Sequence, residues 1–426
     1  MRMRLADSAV ISRVWSLALV GLLLALPVAG QITFEEASKD LESPDAAVRL
    51  QTIRVLRDAG YVEAALPLAT LIADPDRAVR LEAIGAELGL FLDESAGSAG
   101  SLAARRRSPE AAFLAGPFAV GLTPVPVEVL TALRTAARDL DPGVATEAIY
   151  AFGTLGSQPA GAVRADLLRD AAPDLTALLG ASDPNLRLAT LHIVGRLFAH
   201  RPWEKTIDQA LGDAVIQALN DRSERQRAAA MQALGAMRYV RAVDALAALH
   251  AYYQRGELAE ASLDALARIA VPASAPLFQA AIKGRSTRLK RSGVEGLARL
   301  GDRAFDAEVR AAIRSERTQP MVLAGSFAEL LLAGGSLDGV VNALNRADLY
   351  DQARGYLLEI APGRAGLFGR YTQDPEPRLR AGVADVLGWS GDLTAVPIVE
   401  AMRRDLDPTV VRAAERALVR LRADTR

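Results

Sequence analysis

An all-α solenoid is the fold class this sequence predicts, and three observations predict it. A turn–helix–turn–helix pattern recurs along the chain, it recurs at a near-constant step, and its apolar positions follow helical spacing rather than the alternation of a strand. The clearest copy is residues 374–402, where Leu379, Val383, Val386 and Leu387 surround Arg380 at helical intervals. Asp374-Pro375 opens the helix, because an Asp side chain accepts from free N–H groups and Pro tolerates the first turn. Gly391 closes it, being suited to the left-handed position after a helix end. Ala395-Val396-Pro397 then starts the partner helix, 398–402.

With Arg380 as an anchor, the same register falls at Arg49, Arg80, Ala145, Arg187, Arg227, Ala259, Lys290, Leu323 and Val411. The steps from Arg49 to Arg80, from Ala259 to Lys290 and from Arg380 to Val411 are identical in length, while the two steps flanking Arg187 are longer. The wide gap between Leu323 and Arg380 leaves room for one degenerate unit near Asp351, where Pro362, Gly363 and Gly366 would bend the stack. A fixed period of roughly 20–50 residues marks a solenoid, a propeller or an array, and the helical spacing selects the α-solenoid. Seven residues after the anchors stand Leu56, Glu87, Phe152, Val194, Leu234, Leu266, Leu297, Leu330, Leu387 and Leu418, a core column broken only by Glu87. Three residues after them stand mostly small side chains, from Thr52 and Ala83 to Ala414, as expected where helices of adjacent units approach closely.

The motifs S-P-D-A-A-V-R (43–49), D-P-D-R-A-V-R (74–80), A-L-G-A-M-R-Y-V-R-A-V (233–243) and L-G-W-S-G-D-L-T-A-V-P (387–397) resemble those of HEAT-repeat proteins, of the short HEAT-like kind also found in bilin lyases. The resemblance covers about residues 34–423. It implies a right-handed superhelix of about ten to eleven helical hairpins, with the anchor-bearing second helix of each lining the concave side. The scaffold serves many tasks, so the resemblance speaks to fold more than to function.

The chain has 426 residues, half of them hydrophobic, and no Cys. A solenoid of this length escapes the usual size limit of one core by growing along an axis. Aromatic residues are 5%, so the core is Ala, Leu and Val. The net charge of −1 argues against a nucleic-acid partner. Residues 1–30 read as a signal peptide: Arg2, Arg4 and Arg13 precede an uncharged, mostly apolar run (14–30) that ends in Val28-Ala29-Gly30. The other reading is an N-terminal membrane anchor, for which a run of that length is just long enough. The expected location is periplasmic or secreted, with inner-membrane anchoring as the alternative. The mature solenoid is then 31–426. Within it, 93–124 break the period with a small, polar and basic stretch containing Arg105-Arg106-Arg107, which reads as a flexible inserted loop.

Nothing in the sequence names a reaction. His192, His200 and His250 are the only histidines, and the first two are eight apart, which is not ligand spacing. H-E-x-x-H, Walker, G-x-S-x-G and G-x-G-x-x-G patterns are missing. The expectation is no cofactor, no metal and no enzyme activity. The expected partner is another protein or a peptide, no nucleic acid, and a membrane only if the N-terminal segment is uncleaved. Two alternatives rest on this segment and on the resemblance: a membrane-tethered accessory protein of envelope assembly, or a bilin-lyase-like or other HEAT-repeat enzyme.

The anchors Arg49, Arg80, Arg187, Arg227 and Arg380 are expected to pair with Asp residues of neighbouring turns, such as Asp74, Asp183 and Asp374, as a structural ladder. The cationic run 283–299 reads as a solvated helix face. Positions two, five and nine after the anchor share the side away from the two buried columns. That stripe gives the candidate binding residues Glu147, Tyr150, His192, Arg196, Gln232, Asp264, Arg268, Glu295 and Arg299, a polar surface of mixed sign.

Overall fold

The computed structural model describes residues 34–92, 108–114, 116, 120–157, 161–199 and 207–423. The signal-like residues 1–30 and the Arg-rich 93–107 lie outside the described residues. The helices are α1 (Phe34–Asp40), α2 (Ala46–Ala59), α3 (Ala65–Leu71), α4 (Arg77–Phe91), α5 (Pro109–Leu114), α6 (Val127–Ala136), α7 (Pro142–Leu155), α8 (Gly161–Leu179), α9 (Pro184–Phe198), α10 (Gln209–Ala218) and α11 (Glu224–Met237). They continue as α12 (Val243–Tyr253), α13 (Glu257–Ile269), α14 (Ala275–Lys283), α15 (Thr287–Leu300), α16 (Asp306–Ser315), α17 (Gln319–Ala333), α18 (Asp338–Val341), α19 (Tyr350–Ile360), α20 (Pro377–Trp389), α21 (Val396–Met402) and α22 (Pro408–Ala423). Among the described residues the only β pairing is an isolated bridge, Leu92 to Val120.

These helices form hairpins that stack in chain order. The anchor-bearing helices α2, α4, α7, α9, α11, α13, α15 and α17 each pack on the next, and α20 packs on α22. Their partners are α1, α3, α6, α8, α10, α12, α14, α16, α18, a 3₁₀ segment (Ala365–Gln373) and α21. The described residues thus build an all-α solenoid of eleven hairpins, with α5 standing outside the series. The degenerate unit near Asp351 is real and is built on α19.

Most turns obey the capping logic of the sequence; before α20 the N-cap is instead Glu376, without a side-chain bond, and Asp374 accepts the Glu376 N–H at 2.9 Å. Asp45, Asp76, Asp141, Asp183 and Asp208 each accept a backbone N–H of the helix they precede. The arginine ladder forms at Arg49, Arg80, Arg187 and Arg380, each reaching forward to a carboxylate of the next unit. Arg227 departs from it, pairing with Glu224 of its own helix and donating to the carbonyls of Asp221 and Arg222. Arg49 grips Asp74 through Nε and Nη2, both at 2.8 Å, and donates from Nη1 to the carbonyl of Ser43. Arg380 does the same with Asp405 at 2.7 Å and with the carbonyl of Asp374. Arg187 pairs with Asp221 rather than Asp183, whose carboxylate is committed to capping. A planar guanidinium thus ties one turn's carbonyl to the next turn's carboxylate, a fork that lysine cannot reproduce.

Both columns are interior, apart from Ser326 and Leu330, three and seven after the anchor Leu323. Thr52, Ala83, Ala148, Thr190, Ala230, Ser262, Val383 and Ala414 are buried, and so is the seventh-position column apart from Leu330, Glu87 included. Leu330 is half-buried, because in α17 the core is taken by Phe327 and Ala328 instead. Close approach is what the small residues allow: a Cβ added at Gly388 would fall 2.5 Å from the Cα of Ala417, and one at Gly235 would fall 2.8 Å from that of Ala265.

Candidate functional site

The concave side follows from which side chains meet across the stack. On the partner helices the contact between Gln279 and Glu308 joins adjacent units only. On the anchor-bearing helices Arg238 at the end of α11 reaches Glu359 of α19, 121 residues away, at 3.0 Å. Tyr356 of α19 donates to Glu295 of α15 at 2.6 Å. Groups on units that are not neighbours in the stack touch only if their helices line the inside of the curve.

The predicted solvent stripe is corrected by this geometry. Tyr150 is 4% exposed and Glu295 is 6% exposed. Glu147, His192, Arg196, Asp264 and Arg299 are half-buried, and only Gln232 and Arg268 are exposed. The helical-wheel argument gave each helix one buried face. An inner helix of a solenoid is flanked by a neighbour on each side as well as by its own partner, so little of its surface is left to solvent.

Four of the predicted residues gather at one ion network. Arg299 donates to both oxygens of Glu359 at 2.9 Å, to the carbonyl of Ala267 at 3.1 Å and to Glu295 at 3.4 Å. Asp264 and Arg268 pair one helical turn apart at 2.9 Å beside it. Tyr356 stacks on Phe327 with centroids 4.2 Å apart. Burial would raise the Glu359 carboxyl, but the charges and hydrogen bonds of Arg299 and Arg238 prevail and hold it at about 2. Burial likewise opposes the Arg299 charge, and Glu359 overcomes it, leaving the guanidinium more basic than usual. Arg238 occupies a left-handed helix end with φ 51°, where Gly is the usual residue, and its side chain supplies the longest-range contact of the network. Part of the cationic run 283–299 is paired: Arg288 with Glu260, Lys290 with Glu316 and Arg291 with Glu295. The solvated-face reading holds for Lys283, Arg285 and Arg288, which are exposed, and is corrected for Lys290, which is buried, and Arg299, which belongs to the network.

The inserted segment corrects a second expectation. Residues 109–114 form α5, with Ala112 fully buried and Phe113 4% exposed. The chain returns through Val120, where Gly121 N–H donates to the carbonyl of Phe91. Phe113 packs against Tyr150 with centroids 5.5 Å apart, and the guanidinium of Arg196 lies 3.7 Å from the Phe113 centroid. Composition hid this helix, because Pro109-Glu110-Ala111-Ala112-Phe113-Leu114 is too short to show a period.

Between α9, α11 and α13 the inner face opens into a cavity of about 530 Å³. His192, Glu224, Arg225, Gln232, Tyr253, Arg255 and Glu257 supply its polar lining. Burial and the nearby charge of Arg225 keep the His192 imidazole neutral by lowering its pKa. Among the described residues neither Arg225 nor Arg255 has a carboxylate within ion-pair distance, although both are exposed. The turn over the cavity is strained: Gln254 sits at φ 56°, and Gly256 follows at φ 86°. Sequence reasoning found His192 and Gln232 but missed Arg225, Tyr253 and Arg255, which lie before or between the anchor registers.

No known family matches the chain, and no curated protein does. Solved structures similar to it include an engineered protein, with 15% identity and TM-score 0.46, covering 91% of this chain and 98% of the other. A chain from work on a phosphorylation switch between cadherin and beta-catenin shows 12% identity and TM-score 0.41, covering 91% and 94%. A designed armadillo repeat protein shows 15% identity and TM-score 0.37, covering 62% and 98%. Likeness at this level carries no argument, so the class, a helical-repeat solenoid, rests on the stacking described above.

Proposed function

We propose that this protein is a non-enzymatic, exported binding scaffold that captures a protein or peptide partner in the concave cavity between α9, α11 and α13. One observation carries the reading. Most arginines of this inner face are tied to carboxylates, whereas Arg225 and Arg255 stand free among the described residues, at an open cavity beneath a strained turn. Of the two carboxylates in the lining, Glu224 is paired with Arg227 and Glu257 stands at the start of α13. The two free guanidiniums and Tyr253 favour a peptide segment that places an acidic residue against Arg225 and Arg255, since arginine and tyrosine dominate binding energies where partners dock. Cross-linking in cells followed by mass spectrometry tests this. The partner is expected to cross-link near α11 and α13 and to be lost from the Arg225→Glu, Arg255→Glu variant. Cross-links on the outer helices, or undiminished capture by that variant, sink the proposal.

Export is supported by the basic start and apolar run of residues 1–30. The HEAT-like motifs support the scaffold role by resemblance. Mass spectrometry of the exported protein is expected to find a mature N-terminus near Gln31. An intact Met1 in the membrane fraction supports the tethered alternative instead, and an intact Met1 in the cytoplasm removes export altogether.

A further inference from the structure

The insertion does not belong to the repeat, yet it occupies a seat on the inner face made by two successive repeats. Four contacts define the seat. The Phe113 ring lies on Tyr150 of α7, and the guanidinium of Arg196 of α9 lies 3.7 Å from the centre of the Phe113 ring. Arg196 Nη1 also donates to the backbone carbonyl of Phe113. Tyr150 O–H donates to the carboxylate of Glu110 at 3.3 Å. An acidic and an aromatic residue three positions apart are thereby read together.

Arg196 is what makes this more than packing. It is half-buried, and no carboxylate pairs with it among the described residues. Burial and the charge of Arg354 lower its pKa to about 10. A desolvated guanidinium is normally paired with an anion. Here it has a neutral carbonyl, the backbone oxygen of an aromatic residue. If the chain ended at that aromatic residue, the carbonyl would become a carboxylate, and the same geometry would make a charge-assisted pair.

We propose that the α7–α9 face is a peptide seat, held in this chain by its own insertion, whose ligand from another chain is a C-terminal segment with an acidic residue three positions before a terminal aromatic residue. The inference deepens the binding-scaffold reading and rests on it for the choice of the inner face. The insertion competes for the seat at an effective concentration on the order of millimolar, as tethered segments do. With an affinity of the insertion's own segment for the seat of about 100 μM, a partner peptide therefore appears roughly tenfold weaker in the intact chain. A carboxylate in place of the amide strengthens binding about tenfold, the difference between a charge-assisted and a neutral hydrogen bond.

The probe is a fluorescent hexapeptide with the sequence Ser-Pro-Glu-Ala-Ala-Phe, made as the free acid and as the amide. Titrated by fluorescence anisotropy, the acid is expected to bind the Phe113→Ala chain about tenfold more tightly than the intact chain, and about tenfold more tightly than the amide does. Adding Arg196→Ala is expected to abolish binding. If Phe113→Ala does not melt cooperatively, Glu110→Ala, which removes a single hydrogen bond of the insertion, is used instead, with a gain of a few-fold expected. The proposal is overturned by no binding to a folded variant, by equal binding to intact and variant chains, or by acid and amide binding alike. Failure here with cavity-dependent capture intact removes the seat alone, whereas failure of that capture removes the scaffold reading itself.

Discussion

On α13, α15 and α19 the inner-face charges close on one another, whereas between α9, α11 and α13 they face an open cavity. Both regions use the inward side of the same kind of helix, and both are rich in arginine. In the first, Arg299 and Arg238 share Glu359, and the Tyr356 hydroxyl completes the shell around Glu295. In the second, Arg225 and Arg255 have no such partners among the described residues. The contrast separates two uses of inner-face charge: withdrawn from solvent it joins distant repeats, and exposed it remains available to something outside the chain.

The closed region carries the largest expected effect. A solenoid is held together mainly by contacts between neighbouring repeats. Glu359 adds a link between α19 and the much earlier helices α11 and α15. Glu359→Ala leaves Arg299 desolvated without its main anion, at a cost of about 3–5 kcal/mol. The expected result is a lower melting temperature and an earlier, separate transition for the repeats from α19 onward. A single transition at the original temperature would show the network to be incidental. The pH dependence has a definite sign. Because the folded pKa of about 2 lies below the ordinary 4.5, the contribution of Glu359 is complete above pH 4.5 and is lost as pH falls from there towards 2.

Glu87 sharpens the comparison by being buried with neither kind of company. It is fully buried in α4, and both carboxylate oxygens lack a hydrogen-bond partner. It also occupies the column that the other repeats fill with an aliphatic or aromatic residue. Burial raises its pKa well above 4.5. A raised folded pKa means the folded state is favoured below pH 4.5 and loses stability as pH rises from there through the folded value. Glu87→Leu is expected to stabilise the protein at pH 7 by about 1–3 kcal/mol, with a smaller gain near pH 4. A lower melting temperature for the variant at pH 7 would show that the carboxyl has a role that burial alone does not reveal.

The comparison also shows where sequence reading stops. Hairpins, turn caps and the arginine ladder depend on residues within one repeat or the next, so a short, regular period exposes them. Asp74 opposite Arg49 is legible in that way. The link from Glu359 to Arg238 spans 121 residues and depends on how far the stack curves, which no local pattern encodes. The seat of Phe113 on Tyr150 and Arg196 was hidden for the same reason. The stripe pattern treats Tyr150, Arg196 and Arg299 as open to solvent, and it misses the neighbours that a curved stack brings to them.

The smallest expected effect on stability belongs to the open region, and it is the one that decides its role. Arg225 and Arg255 are exposed and tied to no carboxylate among the described residues, so removing them strands no buried charge. Substitutions of that kind usually move stability little, which for a chain of this length means a melting temperature within about 2 °C of the parent. Arg225→Glu with Arg255→Glu is therefore expected to melt like the parent while losing its partner. The acid added at each position repels an acidic ligand, whereas the same charge change in the Glu359 network would unfold part of the stack. A fall of many degrees would place these arginines with the closed region after all, as structural charges whose partners form the fold. An unchanged melt with lost capture separates binding from folding, and it fixes the boundary between the two regions at α13.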